Sequence, residues 1–90
     1  MGRSYRSKYD IIADILEAAM NGAKKTRIMH MANVNYYSFC KYFRMLLEDG
    51  LIAEFRDPNG DPIYRTTKAG IEHLKMFARF SNRIRKAEKT

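Results

Sequence analysis

The sequence contains one cysteine, two prolines, one valine and no tryptophan. One cysteine excludes an intramolecular disulfide and any zinc site built on cysteine pairs. Cys40 falls inside a periodic apolar segment, where packing is its expected role. The only histidines, His30 and His73, lie on different expected helices, with no acidic spacing that marks a metal site. No glycine-rich phosphate loop is present, and the acids Asp10, Asp14 and Glu17 belong to a helix face or cap. The sequence thus points to no enzyme, no cofactor, no metal and no small-molecule ligand. No early apolar run resembles a signal peptide, and the longest apolar runs fall far short of a membrane span. A soluble, cytoplasmic, nucleoid-associated protein without a membrane partner is the expectation.

What is present is positive charge. Lysine and arginine total 17 against 10 aspartates and glutamates, a formal net charge of +7 in 90 residues. That excess on one small domain favours a polyanionic partner.

The chain divides into elements by its apolar spacing. Residues 1–8 are polar and basic and read as an arm, with Arg3, Arg6 and Lys8 within reach of phosphates should the partner be nucleic acid. Ile11, Ile12, Ile15, Leu16 and Ala19 recur at helical spacing and predict a first helix over 9–20, with Asp10 as cap or first-turn acid. Asn21-Gly22 ends it. A short second helix is expected from residue 25 or 26 to 31 or 32, capped by Thr26 and facing Ile28, Met29 and Ala32 inward. Asn33-Val34-Asn35 is a tight connection, and Asn35 caps a third helix reaching residue 49. Its inward stripe is Tyr36, Phe39, Phe43, Leu46 and Leu47, with Tyr42 at the margin. Gly50 stops it with a positive dihedral.

Residues 51–56 and 63–66 then read as strands. Asn59-Gly60 between Pro58 and Pro62 is the turn joining them. Thr67 caps a last helix that carries Ile71, Leu74, Phe77, Ala78, Phe80, Ser81 and Ile84 at threes and fours. Gly70 in its first turn costs about 1 kcal/mol of helix propensity, which a close packing contact explains. Three helices, a hairpin and a covering helix make an α+β winged helix-turn-helix. Its parts are an arm at 1–8, a binding domain at 9–66 and a C-terminal dimerisation helix at 67–90.

In that arrangement the third helix enters the major groove of double-stranded DNA. With the phenylalanines inward, the opposite face carries Tyr37, Ser38, Lys41, Arg44 and Met45. Tyr37, Ser38 and Lys41 are the base-proximal candidates, because the start of such a helix reaches the groove floor. Arg44, one turn on, suits phosphate. Lys24, Lys25, Thr26 and Arg27, at the start of the second helix, suit phosphates at the groove edge, helped by open backbone N–H groups. In the wing the candidates are Arg56, Asn59, Gly60 and Arg65. Arg56 and Arg65 are expected as near cross-strand neighbours on one face, a pairing an anion between them would relieve. The long apolar stripe of the last helix exceeds the needs of one small core. Leu74, Phe77, Phe80, Ser81 and Ile84 are therefore candidate contacts of a homodimer.

The ordered run KTRIM-x5-N-Y-x2-F-x2-Y-F-x2-L-L-x2-G-L-I, followed by YRTTKAG, resembles the small archaeal winged helix-turn-helix DNA-binding proteins. These include the dimeric chromatin-associated type and related transcriptional regulators. The resemblance runs from Ile11 to Leu74 and is carried by Lys25–Met29, Asn35, Tyr36, Phe39, Tyr42, Phe43, Leu46, Leu47, Gly50–Ile52, Tyr64, Thr67 and Gly70. It implies duplex binding, the third helix as reader and the hairpin as wing. For the chromatin-associated type it also implies dimerisation through an antiparallel coiled coil. Thr66 stands where that family has an apolar strand residue, which implies looser packing at the wing base. The last helix is shorter than in the long coiled-coil members. Three functions fit: a sequence-specific transcriptional regulator, a low-specificity chromatin or architectural protein, and a winged protein–protein module.

Overall fold

Helix formation begins at Ser7, whose side chain accepts the Asp10 N–H at 3.2 Å while Asp10 accepts the Ser7 N–H at 3.0 Å. This reciprocal capping box starts α1, Lys8–Ala18. The computed structural model describes residues 6–77. Lys8 is the first helical residue, and residues 1–5 of the expected arm, Arg3 among them, lie outside the described residues. Asp10 is the first-turn acid, and Ser7 is the cap.

α2 spans Lys25–Ala32 and α3 spans Tyr36–Glu48. Two strands follow, β1 (Ile52–Arg56) and β2 (Pro62–Thr66), paired antiparallel. The chain is helical again over 68–77, here α4. This is the expected α-α-α-β-β-α order. The expected continuation of α4 to residue 90, with Phe80, Ser81 and Ile84, lies outside the described residues.

The core forms where the inner faces of these elements meet. Ile15 and Leu16 of α1, Ile28 of α2, Phe39, Phe43 and Leu46 of α3, and Ile52 of β1 are all fully buried. Phe39 and Phe43 stack at 4.8 Å between ring centroids, and Tyr64 of β2 meets Phe43 edge-on at 4.9 Å. Each of the two buried phenylalanine rings contributes roughly 1.5–3 kcal/mol by leaving water. Helical spacing places Tyr36 in the same stripe, but the structure leaves it 71% exposed. Tyr36 is the first residue of α3 and projects past the end of the core.

The wing is anchored to the helices by backbone. Ala23, just before α2, exchanges both hydrogen bonds with Tyr64, at 3.0 and 2.9 Å, and so extends the sheet by one residue. Thr66 does not loosen the wing base. It is buried, its Oγ1 donates to the Leu16 carbonyl at 2.6 Å, and its N–H donates to the Ala19 carbonyl at 3.0 Å. The hydroxyl thereby satisfies a carbonyl at the end of α1 that an apolar residue would leave unpaired. Thr67 caps α4 by accepting the Gly70 N–H at 3.2 Å, and its own hydroxyl donates to the Gly50 carbonyl at 2.7 Å. Gly70 explains itself by position: a Cβ there would lie 2.4 Å from the Leu51 carbonyl oxygen and 2.5 Å from Thr66 Cγ2.

A candidate nucleic-acid interface

α2 starts without a side-chain cap. Its N-cap is Lys24, not Thr26, and no side chain closes the first turn. Ile28 N–H is the first to find an intrahelical acceptor, the Lys24 carbonyl. The N–H groups ahead of it have the geometry that binds anions, and the helix dipole has the matching sign. Around them stand the exposed side chains of Lys24, Lys25, Thr26 and Arg27. Two of these cations already have neighbours. Lys24 Nζ lies 3.4 Å from the Asp61 carboxylate of the wing, and Lys25 Nζ lies over the Phe43 ring at 5.6 Å. The Lys24–Asp61 pair is exposed, so its intrinsic contribution is small and a phosphate can displace it.

The turn that follows α2 depends on Asn33, the one non-glycine described residue with a positive φ (55°). Asparagine tolerates this left-handed conformation better than other side chains. Val34 is buried beneath the turn, and Asn35 Oδ1 accepts the Ser38 N–H at 2.9 Å to start α3.

On the outer face of α3, Tyr37, Lys41 and Arg44 are exposed. Together with Tyr36 and Cys40 they surround one shallow depression of about 390 Å³. Ser38 does not line it; it is half-buried, and its N–H is held by the cap. Lys41 Nζ rests over the Tyr42 ring at 5.4 Å. The Cys40 thiol beside it, more than burial, pushes the Tyr36 hydroxyl above the usual tyrosine pKa. Tyr36 and Cys40 therefore join this face, whereas periodicity alone points them inward. The available signal is Asn35: a cap there makes Tyr36 the first helical residue, with no preceding turn to bury it.

The wing departs from expectation. Register pairs Arg56 with Pro62 and Arg65 with Ala53, so the two arginines lie on opposite faces and are not neighbours. Arg56 is held by Glu54 at 3.0 Å and by the Gly60 carbonyl at 3.1 Å. No anion is needed to reconcile it with Arg65. Asp57 closes the tip by accepting the N–H groups of Asn59 and Asp61, each at 2.9 Å. Gly60 turns with φ 87° and has open space around it, and Asn59 is exposed beside it. Deeper in the wing, burial first and the Glu54 carboxylate second raise the Tyr64 pKa.

Leu74 packs against the core and Phe77 is half-buried, while Met76 is 69% exposed. No helix among the described residues is long and apolar enough to cross a membrane. Nor do the described residues contain a group of three or more His, Cys, Asp or Glu placed to hold a metal ion.

A family model described as winged helix-turn-helix matches residues 5–85. An uncharacterized protein of Methanocaldococcus jannaschii is 36% identical over 56 residues, which span 61% of this chain and 58% of that protein. Among solved structures, Sso10a-2, a DNA-binding protein from Sulfolobus solfataricus, matches with a TM-score of 0.72 at 25% identity, over 93% of this chain and 90% of that one. F93 from STIV, a winged-helix DNA-binding protein, matches with a TM-score of 0.70 at 18% identity, over 91% of this chain and 95% of that one. MepR, a transcription regulator of the Staphylococcus aureus multidrug efflux pump MepA, matches with a TM-score of 0.71 at 14% identity, over 89% of this chain but 59% of MepR. The last two likenesses establish the shared fold alone. The resemblance to small archaeal winged helix proteins read from the KTRIM-to-YRTTKAG pattern is borne out.

Proposed function

The chain belongs to the winged helix-turn-helix family, and from that premise we propose that it binds double-stranded DNA as a homodimeric transcriptional regulator. One observation carries this reading. The uncapped, lysine-rich start of α2 lies against α3, with Lys25 Nζ 5.6 Å from the Phe43 ring, and the outer face of α3 presents Tyr37, Lys41 and Arg44, on a chain of net charge +7. α3 enters the major groove, with Tyr37 and Lys41 toward base edges and Ser38 contributing only where its half-buried hydroxyl reaches. Lys24, Lys25, Thr26, Arg27 and Arg44 hold phosphates and set the register. The wing adds Arg65, Asn59 and Gly60, with Arg56 supporting the tip. That Sso10a-2 and F93 are DNA-binding proteins and MepR a transcription regulator supports the class.

The binding domain expected over residues 9–66 begins two residues earlier, at the Ser7 cap, and residues 67–90 supply the dimerisation element through Phe77, Phe80, Ser81 and Ile84, with Leu74 shared with the protein's own core. Two-fold symmetry then matches a palindromic site. A second reading, a low-specificity architectural protein, is favoured by the excess of phosphate-directed cations over base-directed groups.

The test is a titration of the purified protein with a duplex selected from a random library and with unselected duplex, alongside its mass in solution. Lys41→Ala and Tyr37→Ala should lose about 1–3 kcal/mol on the selected duplex and little on the unselected one. Lys25→Ala and Arg27→Ala should weaken both equally. Equal wild-type affinity for all duplexes removes the regulator in favour of the architectural reading, and a monomeric mass at micromolar concentration removes the dimer.

A further inference from the structure

Arg6 lies in the basic segment whose side chains suggest phosphate contacts, yet the structure folds it back onto α1 and the end of α2, with its side chain 35% exposed. Its Nη1 donates to Asp14 Oδ2 of α1 at 2.7 Å and to the Ala32 carbonyl at 2.8 Å. Its Nη2 donates to the Asn33 carbonyl. The planar guanidinium therefore joins α1 to the C-terminus of α2 and to the left-handed residue that starts the turn. It also supplies positive charge and hydrogen bonds where the last carbonyls of α2 lack helical partners.

α2 is thus tied at both ends by different means. Its start is anchored by the backbone pair between Ala23 and Tyr64. At its end, among the described residues, Arg6 ties it to Asp14 of α1. α3 begins three residues past Asn33, so its direction follows the turn that Arg6 holds.

We infer that Arg6 is a positioning residue for DNA recognition: through Asp14, Ala32 and Asn33 it sets the angle at which α3 meets the duplex. The inference rests on the DNA-binding reading above. It makes a prediction of opposite sign to simple electrostatics. Replacing Asp14 by Asn raises the net positive charge and should tighten DNA binding if charge alone matters. If Asp14 serves to hold Arg6, the same replacement weakens binding.

The experiment measures affinity for a random-sequence duplex of about 30 base pairs, against salt and well below each variant's melting temperature. Wild type, Arg6→Ala, Arg6→Lys, Asp14→Asn and the Arg6→Ala/Asp14→Asn double variant are compared, with melting curves for each. The expected result is a loss of about tenfold for Arg6→Ala and Arg6→Lys alike, a smaller loss for Asp14→Asn, and a double variant no weaker than Arg6→Ala. Asp14→Asn binding as tightly as wild type, or tighter, overturns the inference. So does a near-normal Arg6→Lys together with a salt slope about 0.9 shallower in Arg6→Ala, because that pattern marks a phosphate contact. Variants that melt lower yet bind as wild type also overturn it, leaving Arg6 a stabilising role only. Absence of duplex binding by the wild type overturns the DNA-binding reading itself, and this inference with it.

Discussion

Gly70 and Thr66 meet at the point where the wing, α1 and α4 converge, and each has a single physical reason for its identity. Alanine at position 70 would drive a Cβ to within 2.4 Å of the Leu51 carbonyl oxygen. That contact is backbone, so relief requires α4 to move. Gly70→Ala should destabilise the fold by about 1–3 kcal/mol despite alanine's better helix propensity, as read by urea denaturation. Thr66→Val keeps the shape but removes the donor to the Leu16 carbonyl. A buried carbonyl left unpaired costs about 1–3 kcal/mol. The family resemblance implies the opposite sign, since an apolar residue stands at that position in the family. The discrepancy arises because the partner of Thr66 is fifty residues away in the chain, at a helix end that composition does not reveal.

At the scale of elements, caps and apolar spacing made the helices legible, while contacts between elements were not. Asn35 reads as a cap from its place before an apolar stripe, and its Oδ1 does hold the Ser38 N–H. Asn35→Ala should cost about 1 kcal/mol and lower the melting temperature by roughly 4–8 °C. Lys24 could not be read as the cap of α2, because threonine has the better capping chemistry and lysine makes no cap bond at all. Its position comes from the Ala23–Tyr64 bridge, a tertiary constraint. The hairpin turn was legible in Asn59-Gly60. Its register was not, and a shift of pairing moves an arginine to the other face of the sheet. That is why Arg56 and Arg65 read as neighbours and stand apart. The same limit applies to the interface: which side of α3 faces out follows from periodicity, but the exposure of Tyr36 depends on where the core ends.

For the molecule as a whole, the placement of its cations narrows the partner more than their number does. A net charge of +7 is compatible with many partners. What narrows it is that the uncapped start of α2 lies against α3 through Lys25 and Phe43, and that α2 is held by the wing at its start and by Arg6 at its end. The most direct test is a two-dimensional nitrogen–proton correlation spectrum of the labelled protein, titrated with a random-sequence duplex. The account predicts the largest shifts at the amides of residues 24–27 and 36–44, with smaller shifts at the wing tip over 56–60. No shifts at equimolar duplex, or shifts confined to α1 away from these segments, would contradict it.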